Sequence, residues 1–160
     1  AVVAQADACG DNRLPAASVA ATTHRPPMTP PDFCHPLRVY WEDTDAAGIV
    51  YYANYLKFFE RARTEWLRAA GVGQQRLRTE QGLVFVVAET TLRCLQPARL
   101  DDLLDITVQV QSRGRASMTL HQQARRGTEL VADASIRIGC VDAQTYRPRR
   151  IPTPLLEGTE

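Results

Sequence analysis

The sequence lacks the signatures of several common protein classes. No serine stands in a G-x-S-x-G pattern, which argues against an α/β-hydrolase, and no P-loop or internal repeat is present. No apolar run approaches the length of a membrane-spanning helix, so we expect no membrane insertion. The 19 Lys and Arg nearly balance the 18 Asp and Glu, and this net charge of +1 favours neither a nucleic-acid partner nor a membrane-surface partner.

Cysteine and histidine are also sparse and scattered. The four cysteines have no C-x-x-C spacing, and no two of the three histidines have the spacing of metal ligands. We therefore expect no metal site and no cofactor. The cysteines are interpreted as reduced thiols, and Cys94 and Cys140, which lie in strand-like segments, are expected to be buried.

Composition divides the chain into an extension and one domain. Residues 1–33 are rich in Ala, Pro, Thr and Ser without a sustained period, which predicts a flexible extension. They lack the basic start and continuous apolar core of a secretory signal, which favours a cytoplasmic protein. Residues 34–156 are expected to form a single domain, because this length can bury an adequate core, and residues 157–160 a short tail.

The most informative stretch joins a strand to a long helix. Alternation of Leu37, Val39 and Trp41 with polar neighbours predicts a half-buried β-strand that ends at Trp41. From about Ala53 the apolar spacing becomes helical, and Gly71 is a suitable stop for that helix. Between strand and helix lies a short acidic loop.

Four further strand-like runs follow the helix. Apolar residues alternate with polar ones in most of them, as expected when one face of a sheet is buried. A polar segment between the helix and these runs fits a short helix or a connector. The order of one strand, one long helix and four antiparallel strands predicts an α+β fold. The predicted segments are Val72–Gln81 for the connector and, for the strands, Leu83–Leu95, Leu104–Gln111, Ala116–Ala124 and Leu130–Cys140.

The acidic loop suggests chemistry at the start of the helix. Glu42, Asp43 and Asp45 place three carboxyl groups within four positions. Unpaired N–H groups of a helix N-terminus, such as those of Tyr52 or Ala53, could stabilise the oxyanion of an attacked thioester. A nearby carboxylate could then act as the nucleophile or as a general base toward water. The alternative at this point is that the acidic loop only caps the helix.

A family resemblance favours the chemical interpretation. The segment EDTDAAGIVYYANYLKFFERARTEWLR resembles the acyl-CoA thioesterase family related to 4-hydroxybenzoyl-CoA thioesterase, most closely its tol-pal-associated branch. The resemblance continues more weakly through PARLDDLLDITVQV to RPRRIP and covers roughly Cys34 to Leu156. It implies the hotdog fold, in which a curved antiparallel sheet wraps one long helix. It assigns the catalytic role to Asp45, the second Asp of the D-x-D motif. Many members of the branch have His where this chain has Tyr52, so no imidazole assists here.

The same resemblance implies substrate contacts and partners. The substrate is expected to be an acyl-CoA, with an acyl-carrier protein as the alternative carrier, in a homodimer or homotetramer with active sites between subunits. Such an enzyme would serve lipid metabolism. Tyr52 is expected to line the acyl pocket, and Asn54 either caps the helix or holds Asp45 or a water molecule. The other expected substrate contacts are Gly48, Val50 and Tyr51 beside the loop, with Arg113 and Arg115 for the phosphates of coenzyme A.

The sequence therefore predicts a hydrolase of short-chain or aromatic acyl-CoA thioesters, with Asp45 as nucleophile or general base. Glu60, on the central helix, is a reserve candidate for the catalytic carboxylate. A 3-hydroxyacyl-thioester dehydratase is one rival, but that chemistry generally uses His, and none occurs from Pro36 to Leu120. A second rival is a non-catalytic protein that binds acyl thioesters or acts as a scaffold.

Overall fold

The computed structural model describes residues 33–152. The predicted extension, apart from Phe33, and the predicted tail lie outside these residues, as does Cys9. The helices and strands occur in the predicted order, and the Val72–Gln81 connector contains a short helix. Their bounds are β1 Phe33–Arg38, α1 Asn54–Ala69, α2 Gln74–Gln81, β2 Leu83–Cys94, β3 Leu103–Arg113, β4 Ser117–Arg126 and β5 Glu129–Asp142.

The strands form one antiparallel sheet, and the long helix packs against it. The strand order is β1-β3-β4-β5-β2, so β1 and β2 are the edges. Helix α1 lies against β1, β3 and β4, whereas α2 lies against β2. Register shifts interrupt three of the four strand pairs, and such bulges bend a sheet. The α+β class and the hotdog arrangement are thereby confirmed.

The core lies between the apolar side of α1 and the inner face of the sheet. Phe58 and Phe59 are completely buried, and burying one such side chain contributes about 1.5–3 kcal/mol. Every second residue of β4 is also buried, as the alternation predicts. Gly71 follows the last turn of α1 with φ +76°, a left-handed conformation that favours glycine, which confirms it as the stop.

Two predictions about burial are wrong. Trp41 does not continue β1 but lies in a short 3₁₀ turn, Trp41–Asp43, and its side chain is 79% exposed. The strand ends at Arg38 because the chain turns here, and the Asp43 carboxylate accepts a hydrogen bond from the Tyr40 amide. Cys94 is exposed at the end of an edge strand, whereas Cys140 is buried as predicted.

The core also contains polar contacts that the sequence pattern does not predict. Arg63 of α1 is buried, and its Nη1 donates to Oε1 of Gln122 at 2.8 Å. Gln122 is completely buried and donates in turn to the backbone oxygen of Phe59 at 3.1 Å. Burial lowers the pKa of Arg63, and the charge of Glu60 partly offsets this.

Candidate active site

The acidic loop forms a tight hairpin between β1 and α1. Thr44 and Val50 make an antiparallel bridge, and the Asp45 amide donates to the Ile49 oxygen at 2.9 Å. The Gly48 amide donates a hydrogen bond to the backbone oxygen of Asp45 at 2.9 Å, which closes the turn. Gly48 has φ +70°, a left-handed conformation that favours glycine, and no atom lies within 4 Å of a Cβ built there, so glycine serves the backbone conformation here and not close packing.

The two aspartates of the D-x-D motif have different surroundings. Asp43 is only 3% exposed, and its Oδ2 accepts the Tyr40 amide at 2.8 Å. The backbone oxygen of Asp43 accepts both the Tyr51 amide and Nδ2 of Asn54, each at 2.9 Å. Asp43 therefore holds the loop against the helix and is not available to a substrate.

Asp45 is the exposed member of the motif. Its Oδ1 accepts the Ala47 amide at 2.8 Å, and its Oδ2 has no hydrogen-bond partner among residues 33–152. This carboxylate is consequently free to approach a bound group. In the single chain it faces solvent, so a substrate or a second chain must cover the loop before the carboxylate is desolvated.

Two tyrosines stand beside this carboxylate. The rings of Tyr51 and Tyr52 lie 4.7 Å apart between centroids and are tilted by 56°. A hydrogen bond with Tyr52 raises the pKa of Tyr51, and the negative charge of Asp45 raises it further. Both phenols are exposed, and the structure brings these two predicted residues into contact with each other, with Tyr51 within electrostatic reach of Asp45.

The start of α1 presents two unpaired amides next to the hairpin. The Asn54 amide donates to the Tyr51 oxygen at 2.8 Å, and the Tyr55 amide donates to the Tyr52 oxygen at 3.3 Å. The amides of Tyr52 and Ala53 have no partner in the described part of the chain. Unpaired N–H groups and the helix dipole make this end electropositive, which suits a developing oxyanion.

Asn54 does not cap the helix. Ala53 occupies the N-cap position and makes no side-chain hydrogen bond. The buried Asn54 side chain instead donates its hydrogen bond to the backbone oxygen of Asp43. The capping interpretation is therefore wrong, and so is the one in which Asn54 holds Asp45. Val50 is 4% exposed and belongs to the core, so any contact with a substrate would be through its backbone.

The two arginines predicted to hold coenzyme A lie far from Asp45 within one chain. Val39, just before the hairpin, is bonded to Asp102 at the start of β3, whereas Arg113 ends that strand. Ten residues of strand span roughly 30 Å. Arg115 follows in the next turn, where its backbone oxygen accepts the Ile151 amide at 2.9 Å. Within one chain these side chains therefore do not lie beside the hairpin.

A groove of about 490 Å³ runs beside the same helix, between α1 and the sheet edge at β2. Glu60, the reserve candidate, lines it and accepts a hydrogen bond from Oγ1 of Thr64 at 2.7 Å. Val87 of β2 is 54% exposed. Leu56 of α1, which also lines the groove, is 41% exposed. The lining residues are Leu56, Lys57, Glu60, Arg61, Arg63, Val87, Thr90 and Ile136.

Comparison with known proteins identifies the family. A family model described as the Thioesterase-like superfamily matches residues 39–158. The chain belongs to the Thioesterase-like superfamily. It is 43% identical over 120 residues to the acyl-CoA thioesterase YbgC of Haemophilus influenzae, covering 75% of this chain and 88% of that one. It is 41% identical over 125 residues to the acyl-CoA thioester hydrolase YbgC of Escherichia coli, covering 78% and 92%.

A solved structure agrees with this assignment. The probable thioesterase from Bartonella henselae has 34% identity and a TM-score of 0.72, covering 74% of this chain and 98% of that one. The resemblance to acyl-CoA thioesterases that the sequence predicts is thereby confirmed. No helix among residues 33–152 is long and apolar enough to cross a membrane.

Proposed function

We propose that the protein hydrolyses short-chain or aromatic acyl-CoA thioesters to the free acid and coenzyme A. The observation that carries this proposal is that, within residues 33–152, the exposed Asp45 carboxylate, bonded only to the Ala47 amide, and the unpaired Tyr52 and Ala53 amides belong to the same short segment between the hairpin and the start of α1. The YbgC relatives described above, which are named for acyl-CoA thioester hydrolysis, support the reaction type.

The proposed step uses only groups of this site. Asp45 attacks the thioester carbonyl carbon, or removes a proton from water that attacks it, and the carbonyl oxygen becomes an oxyanion. The Tyr52 and Ala53 amides donate hydrogen bonds to that oxyanion. Collapse breaks the carbon–sulfur bond and releases the thiolate. In the first route, water then hydrolyses the Asp45 anhydride; in the second, the acid forms directly.

The proposal includes an oligomer with sites between subunits. A second chain would desolvate the exposed Asp45 and could bring Arg113 and Arg115 to the phosphates of coenzyme A, which one chain alone does not. Edge strand β2, with Val87 exposed, offers unpaired backbone groups for such an association. A homodimer or homotetramer, a cytoplasmic location and a role in lipid metabolism remain parts of the proposal, as does an acyl-carrier protein as alternative carrier.

The decisive experiment compares Asp45→Asn with the intact protein on a panel of short-chain and aromatic acyl-CoAs. Thiol release should fall by about 10²- to 10⁴-fold, the range for a positioned acid, base or nucleophile, while substrate binding persists. Glu42→Gln is the matched control, because it neutralises an exposed carboxylate of the same loop and should leave the rate unchanged. Equal rates for Asp45→Asn and the intact protein would overturn the assignment.

The same assays separate the rivals. Tight acyl-CoA binding without thiol release would favour a binding protein, and hydration of an enoyl-CoA would favour a dehydratase. Oxygen-18 water in a single turnover distinguishes the two hydrolytic routes. Direct attack by water on the thioester labels the released acid at once. In the anhydride route, attack of water on the Asp45 carbonyl carbon instead leaves the label on Asp45, and the acid departs with the unlabelled oxygen of that carboxylate.

A further inference from the structure

A second loop, residues 97–102, lies against the chain just before the Asp45 hairpin. It forms most of the connection between β2 and β3, and none of its side chains has a role in the reaction proposed above. The Val39 amide donates to the Asp102 oxygen at 2.9 Å, and the Asp101 amide donates to the Val39 oxygen at 3.0 Å. Val39 is completely buried, so water does not compete for these two bonds.

The same loop also holds the chain just after the hairpin. The Val50 amide donates to the Ala98 oxygen at 2.8 Å, and Ala98 is completely buried. Val50 precedes the Tyr52 amide by two residues. One loop is thus bonded to Val39, which precedes the hairpin, and to Val50, at its end. A displacement of this loop would therefore be transmitted both to the hairpin that carries Asp45 and to the segment that leads to the Tyr52 amide.

One carboxylate holds the 97–102 loop in its shape. Oδ2 of Asp102 accepts the Arg99 amide at 2.8 Å and Nη1 of Arg126 at 2.5 Å. The same Arg126 nitrogen reaches the Pro97 oxygen at 3.3 Å. Arg126, at the end of β4, also pairs with Glu129, and these two carboxylates raise its pKa.

The backbone of this loop is held in an uncommon conformation. Asp101 has φ +69°, in the left-handed region that non-glycine residues rarely adopt. Such a conformation persists when surrounding contacts over-determine it. Nη1 of Arg38 donates to the Asp101 oxygen at 2.9 Å, which adds to the contacts made through Asp102.

We propose that Asp102, held by Arg126, is a positioning residue for the reaction of Asp45. Its carboxylate fixes the 97–102 loop, and that loop sets the distance between the Asp45 carboxylate and the oxyanion donors. The inference rests on the proposed hydrolysis, in which both groups must meet the same thioester. A misplacement of about 1 Å in such a pair can lower a rate by about 10²-fold.

The first test compares two carboxylates that share one arginine. Asp102→Ala should lower kcat between about 10- and 100-fold with KM within about twofold, because binding contacts are retained while alignment is lost. Glu129→Ala breaks the other ion pair of Arg126 without touching the 97–102 loop, so its rate should match that of the intact protein. Asp102→Asn keeps an acceptor oxygen and should recover most of the rate. Rates are normalised to the folded fraction, measured by circular dichroism.

The second test separates positioning from a general loss of structure. Asp102→Ala is introduced both into the intact protein and into the Asp45→Asn variant. Asp102→Ala should lower kcat by a smaller factor in the Asp45→Asn variant, because the carboxylate that Asp102 helps to align is absent from it. Amide hydrogen exchange at Val50 should become faster in Asp102→Ala and stay unchanged in Glu129→Ala. An equal fold loss in both backgrounds, or an intact rate for Asp102→Ala, would overturn the inference while the proposed function stands. Asp45→Asn at the intact rate would instead overturn the proposed function.

Discussion

The side chain of Asn54, in the first turn of α1, donates a hydrogen bond from Nδ2 to the backbone oxygen of Asp43 at 2.9 Å. Asn54 and Asp43 are both buried. This bond ties the helix start to the loop that carries Asp45, and the Tyr51 amide donates to the same oxygen. The relative position of carboxylate and helix therefore depends on a side chain that need not touch the substrate.

Replacing Asn54 with Leu should both destabilise the protein and slow the proposed reaction. The Asp43 oxygen keeps the Tyr51 amide but loses its second donor, so the free energy of unfolding should fall by about 1–3 kcal/mol. The urea denaturation midpoint measures this loss. Asn54→Gln, which keeps the amide on a longer stem, should recover part of it. Equal unfolding free energies for Asn54→Leu and the intact protein would contradict the assigned role of the bond.

Replacing Tyr52 with Pro should remove an oxyanion donor without unfolding the helix start. Tyr52 is the second residue of the turn closed by the Tyr51 oxygen and the Asn54 amide, a position that proline favours. Its own amide has no partner among residues 33–152, so no internal bond is lost. We expect kcat to fall about 10²- to 10³-fold. Tyr52→Ala, which loses only the side chain, is the control, and matching losses in the two variants would exclude the amide.

Replacing Arg115 with Met should weaken recognition of the nucleotide part of the substrate. KM for an acyl-CoA should rise by about tenfold, because an ionic hydrogen bond to phosphate is lost. KM for the matching acyl-pantetheine, which lacks the nucleotide, should not change. Arg147→Met removes an exposed arginine near the C-terminus and serves as the control. A parallel rise of KM for both substrates would refute a phosphate contact.

Ionisation of the buried Tyr55 phenol should make the folded protein less stable at alkaline pH. Burial raises the pKa of Tyr55 to about 12 from its ordinary 10.0, although a hydrogen bond with the Ala98 backbone opposes the rise. The folded protein therefore keeps this proton between about pH 10 and pH 12, while the unfolded chain loses it. The contribution of Tyr55 is complete below about pH 10 and declines as the pH rises, by roughly 2–3 kcal/mol over the window. Urea unfolding of Tyr55→Phe should show a shallower decline than the intact protein, and parallel curves would contradict the shift.

The sequence by itself determined the elements of the fold and the residues at which chemistry is expected. The periods of two and of 3.6 residues identified the strands and the long helix, because these periods depend on neighbours along the chain. Gly71 marked the end of α1 for the same local reason. The D-x-D motif and the family resemblance point to the hairpin from the sequence alone.

The tertiary structure alone decided how those residues are used. It buried Asp43 and exposed Asp45, although both are aspartates of one short motif. In the folded chain the Asn54 side chain donates to a backbone oxygen and does not cap the helix. The fold also separates Arg115 from Asp45 within one chain. Each of these outcomes depends on which distant segments the sheet register brings together, such as the 97–102 loop against Val39. Contacts of that kind leave no periodic trace in the sequence, because the partners are set by the fold as a whole.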